Sequence, residues 1–211
     1  MAMGIQLDSY SDTEDTYTVE FNDHFILTTV TATASVVNRW VSDIYRIHRR
    51  RLSRRDVHHF IVGLDVEWRP NFSRNRNPVA TLQLCVGHRC LIFQLIYADY
   101  IPDSLVGFLS EPDFTFVGVG IAEDVEKLAE DYELFVGQTS ELGSTAAEQL
   151  GVRDLNRAGL RRLANVVLEV DVEKPRRITM SKWDSEYLSS DQVMYACLDA
   201  FLSFEIGRNL F

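Results

Sequence analysis

The segment Gly63-Leu64-Asp65-Val66-Glu67-Trp68 constrains this chain more than any other. It continues the apolar run Phe60-Ile61-Val62, the mark of a strand inside a sheet, yet it carries two acids two residues apart. Along a strand, residues i and i+2 project from the same face, so Asp65 and Glu67 stand side by side. Two carboxylates beside a core are costly unless a cation lies between them. The competing reading is an alternating edge strand with both acids solvated. The flanking apolar residues argue for a central strand instead.

Two other segments carry acids in apolar surroundings. In Phe116-Val117-Gly118-Val119-Gly120-Ile121-Ala122-Glu123-Asp124, a strand passes through a glycine-flanked turn into a helix. Asp124 falls in the first turn of that helix, where an acid is also favoured by capping and the helix dipole alone. In Ser189-Ser190-Asp191-Gln192-Val193-Met194-Tyr195-Ala196-Cys197-Leu198-Asp199-Ala200-Phe201, Ser189 and Gln192 have capping-box spacing and set the start of a helix. Tyr195 and Asp199 are then i and i+4 on one face. They could be surface residues of an amphipathic helix. An acid among Ala, Cys, Leu and Phe fits that reading poorly, because a buried acid needs a partner.

The rest of the chain places these segments in an α/β fold. Thr16–Phe21 and His24–Thr31 alternate as two strands joined at Asn22-Asp23, a tight-turn pair. Residues 1–15 are polar and are expected to be disordered or loosely held. From Val36 to Ile47 the apolar residues recur at helical spacing, with Ser35 or Thr33 as the cap. Three strands follow at His59–Trp68, Val79–Val86 and Cys90–Leu95, and their short connections predict an antiparallel meander. A short helix at Asp103–Leu109 precedes a strand at Thr115–Ile121, a helix at Ala122–Tyr132 and a fifth strand near Gln138–Leu142. Helices are predicted at Ser144–Leu150, Asn156–Val167 and Asp191–Asn209. The whole reads as one mixed five-stranded sheet, three strands antiparallel and the later ones parallel, flanked by helices. Residues 1–56 form a hairpin-plus-helix extension on this reading, and 57–211 the main domain.

Charge and cysteine content bear on the partner and compartment. The formal net charge is −10, which at first sight opposes a polyanionic partner. Residues 1–38 hold six acids and no Lys or Arg, so −6 of that charge sits there and −4 elsewhere. Two divalent cations on four acids would bring the remainder near neutrality, so composition neither supports nor excludes a nucleic acid. Cys85, Cys90 and Cys197 are an odd set without metal-type spacing and read as small buried hydrophobes in a reducing compartment. No run approaches the ~20 apolar residues of a membrane span, and Met1–Asp23 lacks a secretory signal pattern. An intracellular protein of the nucleus or cytoplasm is expected.

Taken together, order and spacing say more than any one segment. Asp-x-Glu on a strand, an Asp after a glycine-rich strand end and Tyr-x-x-x-Asp on a late helix resemble the Tyr-type branch of the DEDD exonucleases, the ribonuclease D and proofreading superfamily. Asp65-Val-Glu-Trp-Arg-Pro, Val79-Ala-Thr-Leu-Gln-Leu-Cys, Gly118-Val-Gly-Ile and Tyr195-Ala-Cys-Leu-Asp-Ala are similar to the plant Werner syndrome-like exonucleases, over about residues 57–208. The resemblance implies a ribonuclease H-like fold and release of nucleoside monophosphates from 3′ ends of DNA or RNA. It implies two divalent ions, Mg²⁺ or Mn²⁺, with Asp65, Glu67 and Asp199 on one and Asp65 reaching the second. Asp124 would hold water around that second ion, and Tyr195 would orient the attacking water. Hard oxygen ligands suit these ions, and the lack of His in the motifs argues against zinc.

Departures from the family pattern bear on substrate contact. Ser181-Lys182-Trp183 stands where relatives carry Ser-Asn-Trp, Glu186-Tyr187 where a base and Pro are common, and Gly143-Ser144 where Thr-Asp is common. Ser144 can still cap a helix. Trp68 could stack on a terminal base or belong to the core. The run Arg46, Arg49, Arg50, Arg51, Arg54 and Arg55 could meet a nucleic-acid backbone, direct nuclear import, close a helix C-terminus or contact an acidic segment of a second copy. A homo-oligomer, rings included, is left open. The alternative to an exonuclease is a nucleic-acid-binding or scaffold module on the same fold, but such relatives lose an acid and none of the five positions is lost here.

Overall fold

The computed structural model describes residues 3–52, 60–70, 76–173 and 175–211. Among them one sheet of eight strands runs in the order β1-β2-β3-β6-β5-β4-β7-β8. Its strands are β1 (Met3–Tyr10), β2 (Glu14–Phe21), β3 (His24–Thr31), β4 (Phe60–Trp68), β5 (Val79–Val86), β6 (Arg89–Phe93), β7 (Phe114–Gly118) and β8 (Gln138–Glu141). Helices α1 (Ala34–Leu52), α2 (Asp103–Leu109), α3 (Ile121–Tyr132), α4 (Leu142–Leu150), α5 (Leu160–Leu168), α6 (Arg176–Thr179) and α7 (Ser190–Leu210) flank it. The fold is the mixed α/β sheet with helical cover that the sequence predicts.

β4, β5 and β6 form the expected antiparallel meander, and β7 and β8 add in parallel beside β4. The β2–β3 hairpin turns at Asn22, whose φ of 50° is the left-handed conformation that a two-residue turn requires. Two expectations need correction. The sheet has eight strands rather than five, because β3 pairs in parallel with β6 and makes the N-terminal strands continuous with the meander. That pairing satisfies an edge of β6 that would otherwise be open. Residues 3–10 are not disordered: they form the edge strand β1 against β2, with Met3 and Ile5 packed on the core. Their alternation is hidden in a polar, acidic context. The 56/57 boundary, His59, Arg54 and Arg55 lie outside the described residues.

Two apolar layers sandwich the sheet. On one face α1, α2 and α3 cover Val62, Leu64, Leu82, Phe114 and Phe116. On the other, α7 lies over β4 and β5, and α4 and α5 pack beside it. Contact between α7 and β4 is closest at Gly63, where a Cβ would run into the Ala200 carbonyl oxygen and stand 2.8 Å from the Phe204 nitrogen. The missing side chain lets the helix settle onto the strand two residues from Asp65. Cys85 and Cys90 face each other across β5 and β6, and all three cysteines are free and buried.

Candidate active site

α7 begins where the capping box is expected. The Ser189 hydroxyl accepts from the Gln192 backbone N–H, and the Gln192 side chain accepts from the Ser189 N–H. Gln192 also donates to Ser181 Oγ and the Lys182 carbonyl, which ties the preceding loop to the helix start. From there Asp199 falls two turns in, only 5% exposed, against β4. Asp65 and Glu67 meet it from the strand. One carboxylate oxygen from each of the three lies within 4.8 Å of the others, the only such grouping of three potential ligands among the described residues. Hard oxygen donors at this spacing are what Mg²⁺ or Mn²⁺ requires.

Asp124 comes from α3. Gly120, with φ of 74°, takes the N-cap position of this helix in a conformation that favours glycine, and the Glu141 carboxylate accepts from the Gly120 and Ile121 N–H groups at 2.8 and 3.2 Å. Sequence reasoning missed Glu141, which also caps α4 by accepting from Gly143, in place of the expected Ser144. Burial first, and then the nearby charge of Asp65, push the Asp124 carboxyl up to about 8, with Glu123 and Glu141 adding and Lys127 opposing. Burial and neighbouring negative charge both favour the neutral form of a carboxyl. Tyr195, one turn before Asp199, is 6% exposed. Its hydroxyl is held above the usual tyrosine range by burial and by Asp191, against the opposing charge of Arg177.

A cleft of about 750 Å³ opens at this point, lined by Asp65 and Asp199 together with Arg161, Arg162 and Asn165 of α5. Arg161 reaches Asp171 at 3.0 Å, also on the cleft wall. These cations were missed as well. The doublet Arg161-Arg162, standing out in an acidic chain, is the signal that could have found them. The Trp68 ring is faced by Lys127 Nζ, 4.7 Å from its centroid, and packs partly on the core, which leaves that face to a cation rather than a base. Trp183 is fully buried, and Tyr187 is 72% exposed. On and beside α1, Arg46 pairs with Asp43 and Arg39 with Glu14.

A model of the 3′-5′ exonuclease family matches residues 48–210. The chain belongs to this family. A 3′-5′ exonuclease of Arabidopsis thaliana is 33% identical over 151 residues, 71% of this chain and 52% of the relative. A Drosophila melanogaster 3′-5′ exonuclease is 30% identical over 155 residues, 71% of this chain and 43% of its own length. The chain thus spans about half the length of the curated relatives it matches. Among solved structures, the EXD2 exonuclease domain soaked in Mg aligns with a TM-score of 0.50 and 26% identity, covering 87% of this chain and 88% of that one. NrnC of Brucella melitensis aligns with a TM-score of 0.61 over 75% of each chain, and at 20% identity it shows a shared fold. Among the described residues, no helix is long and apolar enough to cross a membrane.

Proposed function

We propose that this chain is a two-metal 3′→5′ exonuclease of the Tyr-type, Werner-like branch, releasing nucleoside monophosphates from 3′ ends of DNA or RNA. The observation that carries this reading is the convergence of Asp65, Glu67 and Asp199 within 4.8 Å in a chain of the exonuclease family. Their donor set fits divalent cations, and the EXD2 exonuclease domain was soaked in Mg. The bound ions would supply charge stabilisation for an in-line displacement at phosphorus. Asp65, Glu67 and Asp199 would hold them, with Asp124 ordering solvent from α3. Tyr195, one helical turn from Asp199, would orient the attacking water through its hydroxyl, a hydrogen-bond donor at neutral pH. Arg161 and Arg162, which line the same cleft as Asp65 and Asp199, would receive the phosphates of the strand entering the site. Three buried free thiols fit a reducing compartment, nucleus or cytoplasm.

The test is incubation of the chain with a 5′-labelled strand and Mg²⁺ or Mn²⁺, beside Asp65→Ala and Asp199→Ala. Stepwise shortening by the parent alone is expected. No shortening, or equal shortening by either variant, would sink the proposal. Running DNA, RNA, single strands and recessed duplexes in parallel identifies the substrate.

A further inference from the structure

The carboxylate pair stands on a buried polar floor that the proposed reaction has not used. β5 runs antiparallel to β4 with Asp65 opposite Gln83 and Glu67 opposite Thr81. Directly paired residues project from the same face of a sheet, so Gln83 and Thr81 share the acids' face, beneath α7. Both are completely buried. The Gln83 amide donates to Thr81 Oγ1 at 2.6 Å, which holds the side chain along the strand. Its carbonyl oxygen Oε1 is buried and has no hydrogen-bond partner among the described residues. An unmatched buried carbonyl is a cost that an apolar side chain of the same size would not carry. Packing therefore gives no reason for an amide here. A small hard cation does, because it keeps several waters when protein-bound and those waters are strong donors.

We infer that Gln83 is a positioning residue of the metal site, its side-chain carbonyl reserved for a hydrogen-bond donor that arrives in the hydration shell of the cation. The inference rests on the metal-site reading of Asp65, Glu67 and Asp199. Thr81 fixes the amide half of Gln83 and so aims the carbonyl half. The polar floor gives up some stability in the metal-free chain in return for affinity in the loaded one.

The test is calorimetric titration of the full chain with MnCl₂, beside thermal unfolding without metal. Gln83→Met keeps the volume and removes the oxygen. Groups that support a metal's ligands from the outer shell typically affect affinity by about 10–100-fold, and Gln83→Met is expected to weaken Mn²⁺ binding about tenfold. Its metal-free Tm should be unchanged or higher. Thr81→Val leaves the amide in place but releases it, and should weaken binding by less than Gln83→Met does. Asp65→Asn, which should abolish the binding heat, ties the signal to this site. Equal Mn²⁺ affinity in parent and Gln83→Met would overturn the inference alone. So would a metal-free Tm lowered by several degrees, since that marks Gln83 as part of the structural core. Should Gln83→Met not fold, equal affinity in parent and Thr81→Val overturns the inference in the same way. A parent that binds no Mn²⁺ would overturn the metal-site reading and the inference with it.

Discussion

The two faces of the sheet put their buried side chains to different use. In the cluster that α1, α2 and α3 cover, the packed side chains are apolar, and its centre is aromatic: Phe60 and Phe114 stand 4.7 Å apart and Phe108 meets Phe114 edge-on at 5.0 Å. Under α7 the core is interrupted by Thr28, Thr81, Gln83, Asp199, Ser203 and Glu205, all buried. Burial of aromatic surface without polar atoms is the larger source of stability per residue. Polar groups in the α7 layer contribute little net stability and must be justified by pairing or by function. One face packs an apolar cluster, and the other gives up part of its apolar packing to the acids of the proposed site. Asp124 is the exception, sent from α3 around the strand ends to the acids beneath α7.

The largest effect that sharpens this contrast is on turnover. Asp199→Asn should lower exonuclease rate by ~10³-fold or more, the equivalent of ~4 kcal/mol of lost metal-based stabilisation, while Tm moves little. The mirror experiment is Phe116→Ala on the aromatic face, which should cost about 3–5 kcal/mol of unfolding free energy. Its rate per folded molecule should stay within a small factor of the parent's. Urea melts beside single-turnover rates measure both. A Phe116→Ala chain that keeps its stability, or an Asp199→Asn chain that keeps its rate, would break the comparison.

Local features of this division were legible in the residues. Apolar runs marked the strands, the Ser189–Gln192 box marked the start of α7, and the Asn22-Asp23 pair marked a hairpin. Each rests on contacts within a few residues. The acids Asp65 and Glu67 could be paired on one face from strand periodicity, and Tyr195 with Asp199 from helical periodicity. What was hidden depends on distant partners. The parallel match of β3 to β6 joins segments about sixty residues apart and leaves no mark in either. β1 escaped notice because its outer residues are exposed and polar. Helix α5 starts at Leu160, not Asn156, because residues 153–157 make a 3-10 turn first. Glu141 caps a helix twenty residues upstream, which only the fold can disclose.

A smaller effect concerns pH and arises where the two faces meet. The folded chain holds the Asp124 proton up to about pH 8, whereas an unfolded aspartate releases it near 3.8. Between these values the folded state binds more protons than the unfolded one, so stability falls as pH rises through this window. Acids with ordinary pKa values give no such slope. Asp124→Asn should therefore remove part of the decline in urea midpoint from pH 5 to pH 8, raising the midpoint relative to the parent more at pH 8 than at pH 5. Saturating Mg²⁺ should flatten the parent's curve in the same sense. A difference between variant and parent that does not grow with pH would contradict the crowding of charge at Asp124.

The smallest stability effect belongs to Arg161, and it separates the cleft wall from both cores. Its guanidinium meets Asp171 at 3.0 Å, but the two side chains are 61% and 64% exposed. Pairs this exposed contribute about 0–1 kcal/mol, so Arg161→Ala should leave Tm almost unchanged. The same side chain lines the cleft with Asp65 and Asp199, where a strand's phosphates would have to pass the acids. A cation there acts on encounter with the substrate rather than on the chemical step. Its removal should raise KM a few-fold and leave kcat alone, with the difference shrinking as salt rises toward 0.5 M and screening takes over. Arg161→Lys should recover most of the loss, because attraction at this range depends on charge more than on fork geometry. If kcat falls instead and salt makes no difference, Arg161 serves the reacting phosphate itself, and the division between a binding wall and a catalytic wall has been drawn in the wrong place.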